Sequence, residues 1–567
     1  MIKYFISGFF LVSLGFSVDV NFSLETKYGD GSKVTGQASN NPDTTDYNFI
    51  ENILDINTIF DNGVFISTQL EYSDPPIFGT PVMGHNNFIL DYMGNNYSIK
   101  MGNLYSLYGR GLSLNMAQNQ NIDYDNSLVG IESQYTYNDI SLFGLIGQSK
   151  FKYRSNPVDS IPNLQLDNKV FFIGSEIFTS SLGIYLVSYL HQTSDIGEDV
   201  IFSYWEQKLF DAGKDLYVRY NADDDDPTND ILPEGEDRLV TKDFNVSWTY
   251  QFFGIDFYIE KVWNTYTKIL GDTVSGSKLY LSSYFNIAEI GVTYEYKNYD
   301  QKYHIPTLAG PPIGFREGNS TLASRNSHSI NWGDEVGHQI ELNRSIGAFQ
   351  WMGNLSFAYK HAIDGHESVS FSQILRMEKD DDIYHQYPFR QLYSEISGYT
   401  LNDKLYFKLG VDKFDEFKGY NNPESVTAFT FPSMLTYDLG GGNSITSYVE
   451  YQNKDFTLED KLTLLTLSNN YKARYLSLTY NYVNFISFSM FYEDEKFEKK
   501  INDDIWPVGG EGINVWRGYD ITAKLNSTSQ FSVFYGSQKG GLVCANGVCA
   551  EQPGFDDGIK VTLRTIF

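Results

Sequence analysis

The chain has 567 residues, a formal net charge of −29, and 43 Tyr and 41 Phe. So large an acidic excess excludes nucleic acid as a partner, because the phosphates would be repelled. Hydrophobic residues make up 41% of the chain and aromatic residues 16%, which is not the composition of a soluble core rich in Leu and Val. An outward apolar belt with aromatic girdles explains it better.

The N-terminus predicts a secretory signal peptide. Lys3 precedes an apolar run from Phe5 to Phe16, and small residues occupy plausible cleavage positions. No later apolar run is long enough for a transmembrane helix. We therefore expect residues 1–17 to be a signal peptide and residues 18–567 to form one domain. Alternation already begins at Val18, so we expect no N-terminal plug of the kind that TonB-dependent receptors carry.

Strands of alternating polarity recur along the chain. In the clearest hairpin, Phe244 and Trp248 alternate with Asn245 and Ser247, which is the lipid-out, lumen-in pattern of a membrane strand. Tight turns alternate with long polar segments, and the apolar patch from Val369 to Leu375 is assigned to a loop. The predicted turns include Asp61–Gly63, Gly94–Asn96, Asn138–Asp139, Asp211–Gly213, Asn402–Asp403 and Gly440–Asn443. The predicted long segments include residues 29–46, 108–127, 222–238, 302–334, 362–389, 457–472, 497–512 and 539–556.

This pattern predicts an all-β fold, a single large antiparallel transmembrane β-barrel. We expect about 26 strands, within a range of about 22 to 28, each about 10 residues long. Such a barrel is too wide to be filled by its own side chains, so water or folded-in loops must occupy its lumen.

The sharpest local motif is YGRGL at residues 108–112, in which two glycines flank Arg110. Glycines allow a close backbone approach or a bulge that re-aims the arginine. Arg110 could pair with Asp123 or Asp125 and staple the loop to the inner wall. In the alternative interpretation, it is a fixed lumenal cation that positions an anionic group of a solute.

The segment from His304 to Trp332 carries Arg316 and Arg325, and its apolar residues show no strand or helix periodicity. A connection of this length can cover the mouth of the barrel or fold into the lumen as a constriction. Arg316 and Arg325 are therefore further candidates for the lumen or its constriction. Because these two cations are opposite in sign to the net negative charge of the protein, that net charge alone cannot set ion selectivity.

Other charged loops give weaker signals. Asp223–Asp226 begins an acidic loop whose spacing lacks the ligand order of a calcium site. His361, His366 and His385 lie in another polar loop without zinc spacing. No Gly-x-Ser-x-Gly elbow or Ser-His grouping is evident. We therefore expect no metal, no cofactor and no enzymatic activity.

The chain ends in a predicted hairpin, in which a loop with Cys544 and Cys549 joins two alternating strands and the second strand stops at Phe567. In an exported protein, two nearby cysteines predict a disulfide, which would stiffen this loop. The ending resembles the C-terminal signature of Gram-negative outer-membrane barrels, in which a terminal Phe is read by the assembly machinery. Thr565 departs from the strongest form of that signature.

Three stretches resemble an uncharacterised family of outer-membrane proteins from Bacteroidetes-type bacteria, the domain of unknown function family 6029. They are YGRGL at residues 108–112, the stretch from Pro311 to DEVG at residues 334–337, and YGSQKGGLVC at residues 535–544 with Cys549. The likeness covers most of the mature chain. This resemblance implies an outer-membrane barrel, but it does not imply any particular activity.

Two functions follow as hypotheses. The first is a multi-pass β-barrel of the Gram-negative outer membrane, in contact with its lipid, that passes small polar solutes or ions passively. The second is a non-conducting scaffold whose outer loops hold a partner protein in secretion or surface assembly. Conductance distinguishes the two hypotheses.

Overall fold

The computed structural model describes residues 18–35, 43–77, 81–119, 124–153, 164–196, 238–267, 273–300, 320–326, 328, 334–362, 370–377, 384, 386–418, 423–460, 465–483, 485–502, 508–545 and 548–567. The predicted signal peptide, Asp123, Arg316 and the acidic loop at residues 222–237 lie outside these residues.

The described chain forms one antiparallel sheet of 24 strands that closes on itself. Each strand pairs with the next along the chain, and the last pairs with the first, so the sheet is a closed barrel with no free edge. The first twelve barrel strands are β1 (Val18–Thr35), β2 (Asp43–Phe60), β3 (Val64–Ser73), β4 (Val82–Met93), β5 (Tyr97–Leu104), β8 (Leu128–Tyr137), β9 (Ile140–Tyr153), β10 (Leu164–Thr179), β11 (Gly183–Ile196), β12 (Arg238–Phe252), β13 (Ile255–Thr267) and β14 (Thr273–Ile287). The other twelve are β15 (Ile290–Asp300), β16 (Asp334–Ile346), β17 (Phe349–Tyr359), β18 (Phe389–Thr400), β19 (Leu405–Lys418), β20 (Glu424–Gly440), β21 (Asn443–Asp460), β22 (Leu465–Tyr482), β23 (Ile486–Asn502), β24 (Val508–Lys524), β25 (Ser529–Gln538) and β28 (Phe555–Ile566).

Smaller elements lie in the connections. Two short hairpins pair β6 (Gln118–Asn119) with β7 (Tyr124–Asp125) and β26 (Gly541–Ala545) with β27 (Val548–Gln552). A 3-10 turn spans Ser324–Asn326. Helix α1 (Phe371–Arg376) begins at a capping box on Ser370, which confirms that the apolar patch near Val369 belongs to a connection. None of the described helices is long and apolar enough to cross a bilayer.

The two faces of the barrel wall differ in chemistry. On β12 and β13, Phe244 and Trp263 are 46% and 49% exposed and face outward, whereas Asn245 and Glu260 are fully buried on the inner side. Alternation at period two thus places rings toward lipid and polar groups toward the lumen. A closed barrel satisfies every backbone group of its wall, as a membrane span requires. The protein is therefore an integral outer-membrane β-barrel.

The barrel closes at the chain's last residue. Phe567 and Phe22 exchange two backbone hydrogen bonds, of 2.8 and 2.9 Å, and their rings stack with centroids 6.0 Å apart. The predicted terminal hairpin is confirmed, because β25 pairs with β28 and β28 pairs with β1. Recognition of Phe567 by the assembly machinery stays a prediction.

The strand number lies within the predicted range, two below the central value. Most predicted turns are confirmed, including Asp61–Gly63 and Asn138–Asp139. The predicted turn Asp211–Gly213 lies outside the described residues, and β11 pairs directly with β12 across that part of the chain. The turn at Ala288–Glu289 was missed, because both residues adopt a positive φ (49° and 67°) that ordinarily favours Gly or Asn.

The strands are longer than predicted, up to 18 residues. Parts of the predicted long segments 29–46, 457–472 and 497–512 belong to strands, so these boundaries were wrong. These strand ends were assigned to loops because they extend past the apolar belt. There both faces of the strand meet water, and the alternation that marks a strand in the sequence disappears.

Candidate functional site: the lumen and its inward-folded loops

The connection between β5 and β8, described over residues 105–119 and 124–127, folds into the barrel, and we call these residues the inner loop. Its Leu114 and Met116 are buried against Phe143 and Phe172 on the inner wall of β9 and β10. Farther along, its Leu112 is fully buried in a cluster with inward-facing residues of β13, β14 and β15. The inner loop therefore lies along the wall from β8 to β15.

Buried polar contacts hold the inner loop in place. On β8, Glu132 accepts hydrogen bonds from the Ser106 hydroxyl and from the Tyr108 hydroxyl, the latter at 2.5 Å. On β13, Glu260 accepts the Arg110 backbone N–H at 2.7 Å. On β14, the ammonium group of Lys278 donates to the carbonyl oxygen of Leu112.

Lys278 lies in a buried group of charges. Its side chain is only 1% exposed, and it interacts electrostatically with the carboxylates of Asp243 and Glu260. Asn264 donates to Asp243 at 2.5 Å, and Asn245 donates to Glu260 at 2.9 Å. Such a group stabilises the loop only while both signs of charge are present.

Arg110 projects from the inner loop into the lumen. Its side chain is exposed, and its guanidinium carbon lies 5.2 Å from the centroid of the Tyr258 ring. Gly109 has a φ of +63°, and a side chain there would lie 2.7 Å from the Glu260 carboxylate. The close backbone approach predicted from the flanking glycines is therefore present.

The predicted partners of Arg110 lie elsewhere. Asp125 accepts the Tyr105 hydroxyl at 3.1 Å and the Ser127 backbone N–H at 2.8 Å, and it does not pair with Arg110. Burial raises the pKa of Asp125 above its ordinary value. Asp123 lies outside the described residues. The described part of this loop is thus stapled by wall residues such as Glu260, and Arg110 is not paired with Asp125.

A second part of the lumen holds residues 320–326 and 328, which we call the inner segment. Glu450 on β21 accepts the backbone N–H groups of Thr321 and Leu322 at 2.6 and 2.9 Å. Arg325 forms a two-pronged ion pair with Glu493 on β23, with one bond at 3.0 Å. The described part of the connection between β15 and β16 therefore folds inward, as one of the two predicted alternatives had it, and binds strands far from the ends of this connection.

His328 ties the inner segment to two strands. Its Nδ1 lies 2.7 Å from the carboxylate of Glu416, and its Nε2 lies 3.2 Å from that of Glu335. Lys418 pairs with Glu416 at 2.8 Å, and Lys297 pairs with Glu335. Burial lowers the pKa of His328, but the two carboxylates outweigh burial and raise that pKa above its ordinary value.

The cysteine hairpin meets the inner segment. The predicted loop is the β26–β27 hairpin, in which the backbones of Cys544 and Cys549 face each other in register. The first residue of β26, Gly541, lies beside the Arg325 side chain. The side chains of the two cysteines are outside the described part, so the disulfide stays a prediction.

The wall residues Glu132, Glu260, Lys278, Glu450 and Glu493 were missed by the sequence analysis. Their inward direction could be read from alternation, but the loop residues that they meet are 24 to 168 residues away in sequence. No local signal marks such a contact. Arg110 was found from the two glycines that flank it, and Arg325 from the length of the segment that carries it.

Comparison with known proteins gives one family and a set of distant folds. The family of unknown function DUF6029 matches residues 17–567. No curated protein matches the chain. Among solved structures, the siderophore receptor PirA from Pseudomonas aeruginosa is 7% identical with a TM-score of 0.41, covering 97% of this chain and 80% of that one. A BenF-like porin from Pseudomonas fluorescens Pf-5 is 9% identical with a TM-score of 0.35, covering 70% and 94%. OccK2 (OpdF) from Pseudomonas aeruginosa is 9% identical with a TM-score of 0.36, covering 77% and 98%.

Proposed function

We propose that this chain, which belongs to the DUF6029 family, is a passive outer-membrane channel for small polar solutes or ions. The observation that carries the proposal is the exposed Arg110 side chain, held at a fixed place in the lumen by a loop that is itself bound to the wall. A scaffold with a filled lumen has no use for an exposed, positioned cation. A channel does, because a charge fixed inside a narrow passage biases which ions enter it.

The two inward-folded parts narrow the passage from different sides. The inner loop lies on the wall from β8 to β15, and the inner segment binds β16, β19, β21 and β23. The inner loop is fixed by buried or partly buried hydrogen bonds to charged wall residues, and the inner segment by buried or partly buried ion pairs. Solutes would pass between them, along a wall whose inward groups are hydroxyls, amides and carboxylates.

Single-channel conductance of the refolded protein in a planar bilayer tests the proposal. We expect steady conductance, and a reversal potential under a salt gradient that moves toward stronger cation preference in Arg110→Ala. The matched control is Lys242→Ala, because Lys242 is exposed on the outward face of β12 beside Phe244. A folded barrel that stays silent would refute the channel and leave the scaffold, which binds a partner protein at its outer loops, as the working hypothesis.

A further inference from the structure

Three near-parallel aromatic rings lie on the inner wall, and we call them the aromatic floor. They are Tyr475 on β22, Phe491 on β23 and Phe534 on β25. The centroids of Tyr475 and Phe491 are 6.1 Å apart with an interplanar angle of 19°, and those of Phe491 and Phe534 are 5.8 Å apart at 13°. At one end of the row, Tyr448 meets Tyr475 edge to face at 5.9 Å, and at the other end Phe555 is tilted against Phe534 at 6.3 Å. The row thus crosses five strand pairings of the wall.

The rings face the lumen and not the lipid. Phe491 alternates with Met490, which is 42% exposed on the outer surface, and Phe534 alternates with the outward Tyr535. All three floor rings are nevertheless partly exposed. Aromatic rings on the wet side of a barrel wall have no lipid to cover them, so their packing alone does not explain their placement.

A glycine leaves the space that two rings of the aromatic floor occupy. Gly518 on β24 lies between Phe491 and Phe534, and a side chain there would come within 2.4 Å of both rings. In register, Gly518 is opposite Phe491 on one side and Gly536 on the other. Because β24 presents no side chain at this height, the two rings can lean toward each other over its backbone, and both remain partly exposed.

Polar groups border the floor. The ammonium group of Lys560 lies 5.4 Å from the Phe534 centroid and 4.3 Å from that of Phe555. Asp520, which pairs with Phe534 in register, accepts the Thr522 hydroxyl at 2.9 Å. Apolar faces with a few hydrogen-bonding groups beside them are the composition of a site for an amphipathic ligand.

We infer that the aromatic floor is a binding track for a linear oligosaccharide, an inference that rests on the proposed channel. A pyranose ring presents C–H groups on its faces and hydroxyls around its edge. The faces suit the negative face of an aromatic ring, and the hydroxyls suit the ammonium and carboxylate beside it. Successive floor rings, about 6 Å apart, suit successive sugar units of a linear chain. A neutral solute also avoids repulsion by a protein of charge −29.

Current block by a linear glucose hexamer tests the inference. We expect the hexamer to reduce the ionic current of the wild-type channel in a saturable manner. In the double variant Phe491→Ala/Phe534→Ala, the half-blocking concentration should rise about tenfold or more, while the conductance in sugar-free salt stays close to wild type. Gly518→Ile should act in the same direction, because it displaces both rings without removing them.

The matched control is Phe488→Ala, which removes an outward ring from the same strand and should leave the block unchanged; Phe488 is 43% exposed on the lipid side. If the channel conducts but the hexamer does not block it, or blocks the double variant equally, the aromatic floor is not the sugar-binding site. The channel proposal is unaffected by either result. If the folded barrel does not conduct, the channel proposal fails. Calorimetric titration of the hexamer into the protein in detergent then tests sugar binding by the aromatic floor independently of conductance. Absence of binding heat would refute that binding.

Discussion

Replacing Lys278 by Ala should release the inner loop from the wall. The Lys278 ammonium group is buried, donates to the Leu112 carbonyl and interacts electrostatically with the carboxylates of Asp243 and Glu260. Lys278→Ala removes the cation and leaves two buried carboxylates without it. Removing one partner from a buried ionic group costs about 3–5 kcal/mol. Since each 1.4 kcal/mol is a factor of ten, the docking equilibrium of the loop should shift by about 10²- to 10³-fold or somewhat more.

Hydrogen exchange measures that equilibrium. In the wild type, the backbone N–H of Gly111 donates to Tyr108 O at 3.1 Å, and that of Met116 donates to Ser106 O at 3.0 Å. These amides exchange only when the loop opens, so the protection of residues 105–119 in the variant should fall by the factor above. The assay is mass-spectrometric exchange of the refolded barrel in detergent, read on peptides from this loop.

Lys261→Ala is the matched control for the loop. Lys261 lies on the neighbouring strand and donates to the Ser277 hydroxyl at 2.8 Å, on the same outward side as Trp263. Its loss should leave the inner loop protected. Equal protection of the inner loop in Lys278→Ala and wild type would show that the buried charges do not hold the loop, and the reasoning about its anchoring would be refuted.

Two further predictions concern the inner segment. Glu493→Gln should weaken docking of the segment by about 1.5–3 kcal/mol, because Arg325 loses its charged partner; exchange of residues 320–326 measures this, and Asp494→Asn, on the opposite face, should leave it unchanged. The raised pKa of His328 means that its contribution is fully present below the ordinary value of 6.5 and is lost as pH rises through the raised pKa. Segment protection, corrected for intrinsic exchange, should therefore fall between about pH 6.5 and the alkaline range, and His328→Gln should abolish that pH dependence.

One result would contradict each of these two predictions. If Asp494→Asn loosens the segment as much as Glu493→Gln does, the effect comes from the strand and not from the ion pair. If the pH dependence persists in His328→Gln, the titrating group lies elsewhere. The charged neighbours of His328 are Glu335 and Glu416, together with the lysines that pair with them.

The barrel could be predicted because its wall obeys one simple rule. A strand with lipid on one side and water on the other must alternate, and Phe244 to Phe252 shows this without interruption. The rule fails where its physical cause is absent. At the end of β23, from Phe497 to Asn502, four of the six residues are polar, and a loop was predicted where the structure has a strand.

The contents of the lumen could not be predicted from the same sequence. A polar loop that folds inward and one that extends outward both meet water, so their compositions do not differ. The glycines beside Arg110 indicated a close approach, but nothing near them indicated Glu260, which is 150 residues away. Long-range contacts of this kind depend on which strands become neighbours in the closed barrel, and only the register fixes that.

Two consecutive acids show why the net charge of −29 does not determine ion selectivity. Glu493 faces the lumen and is paired with Arg325 of the inner segment. Asp494 faces outward and is paired with Arg474, with a shortest distance of 2.6 Å. Neighbours in sequence thus act on opposite sides of the wall, and each is locally neutralised. Selectivity must then come from charges that remain exposed to the passage, and Arg110, on a loop fixed by buried charges, is such a charge.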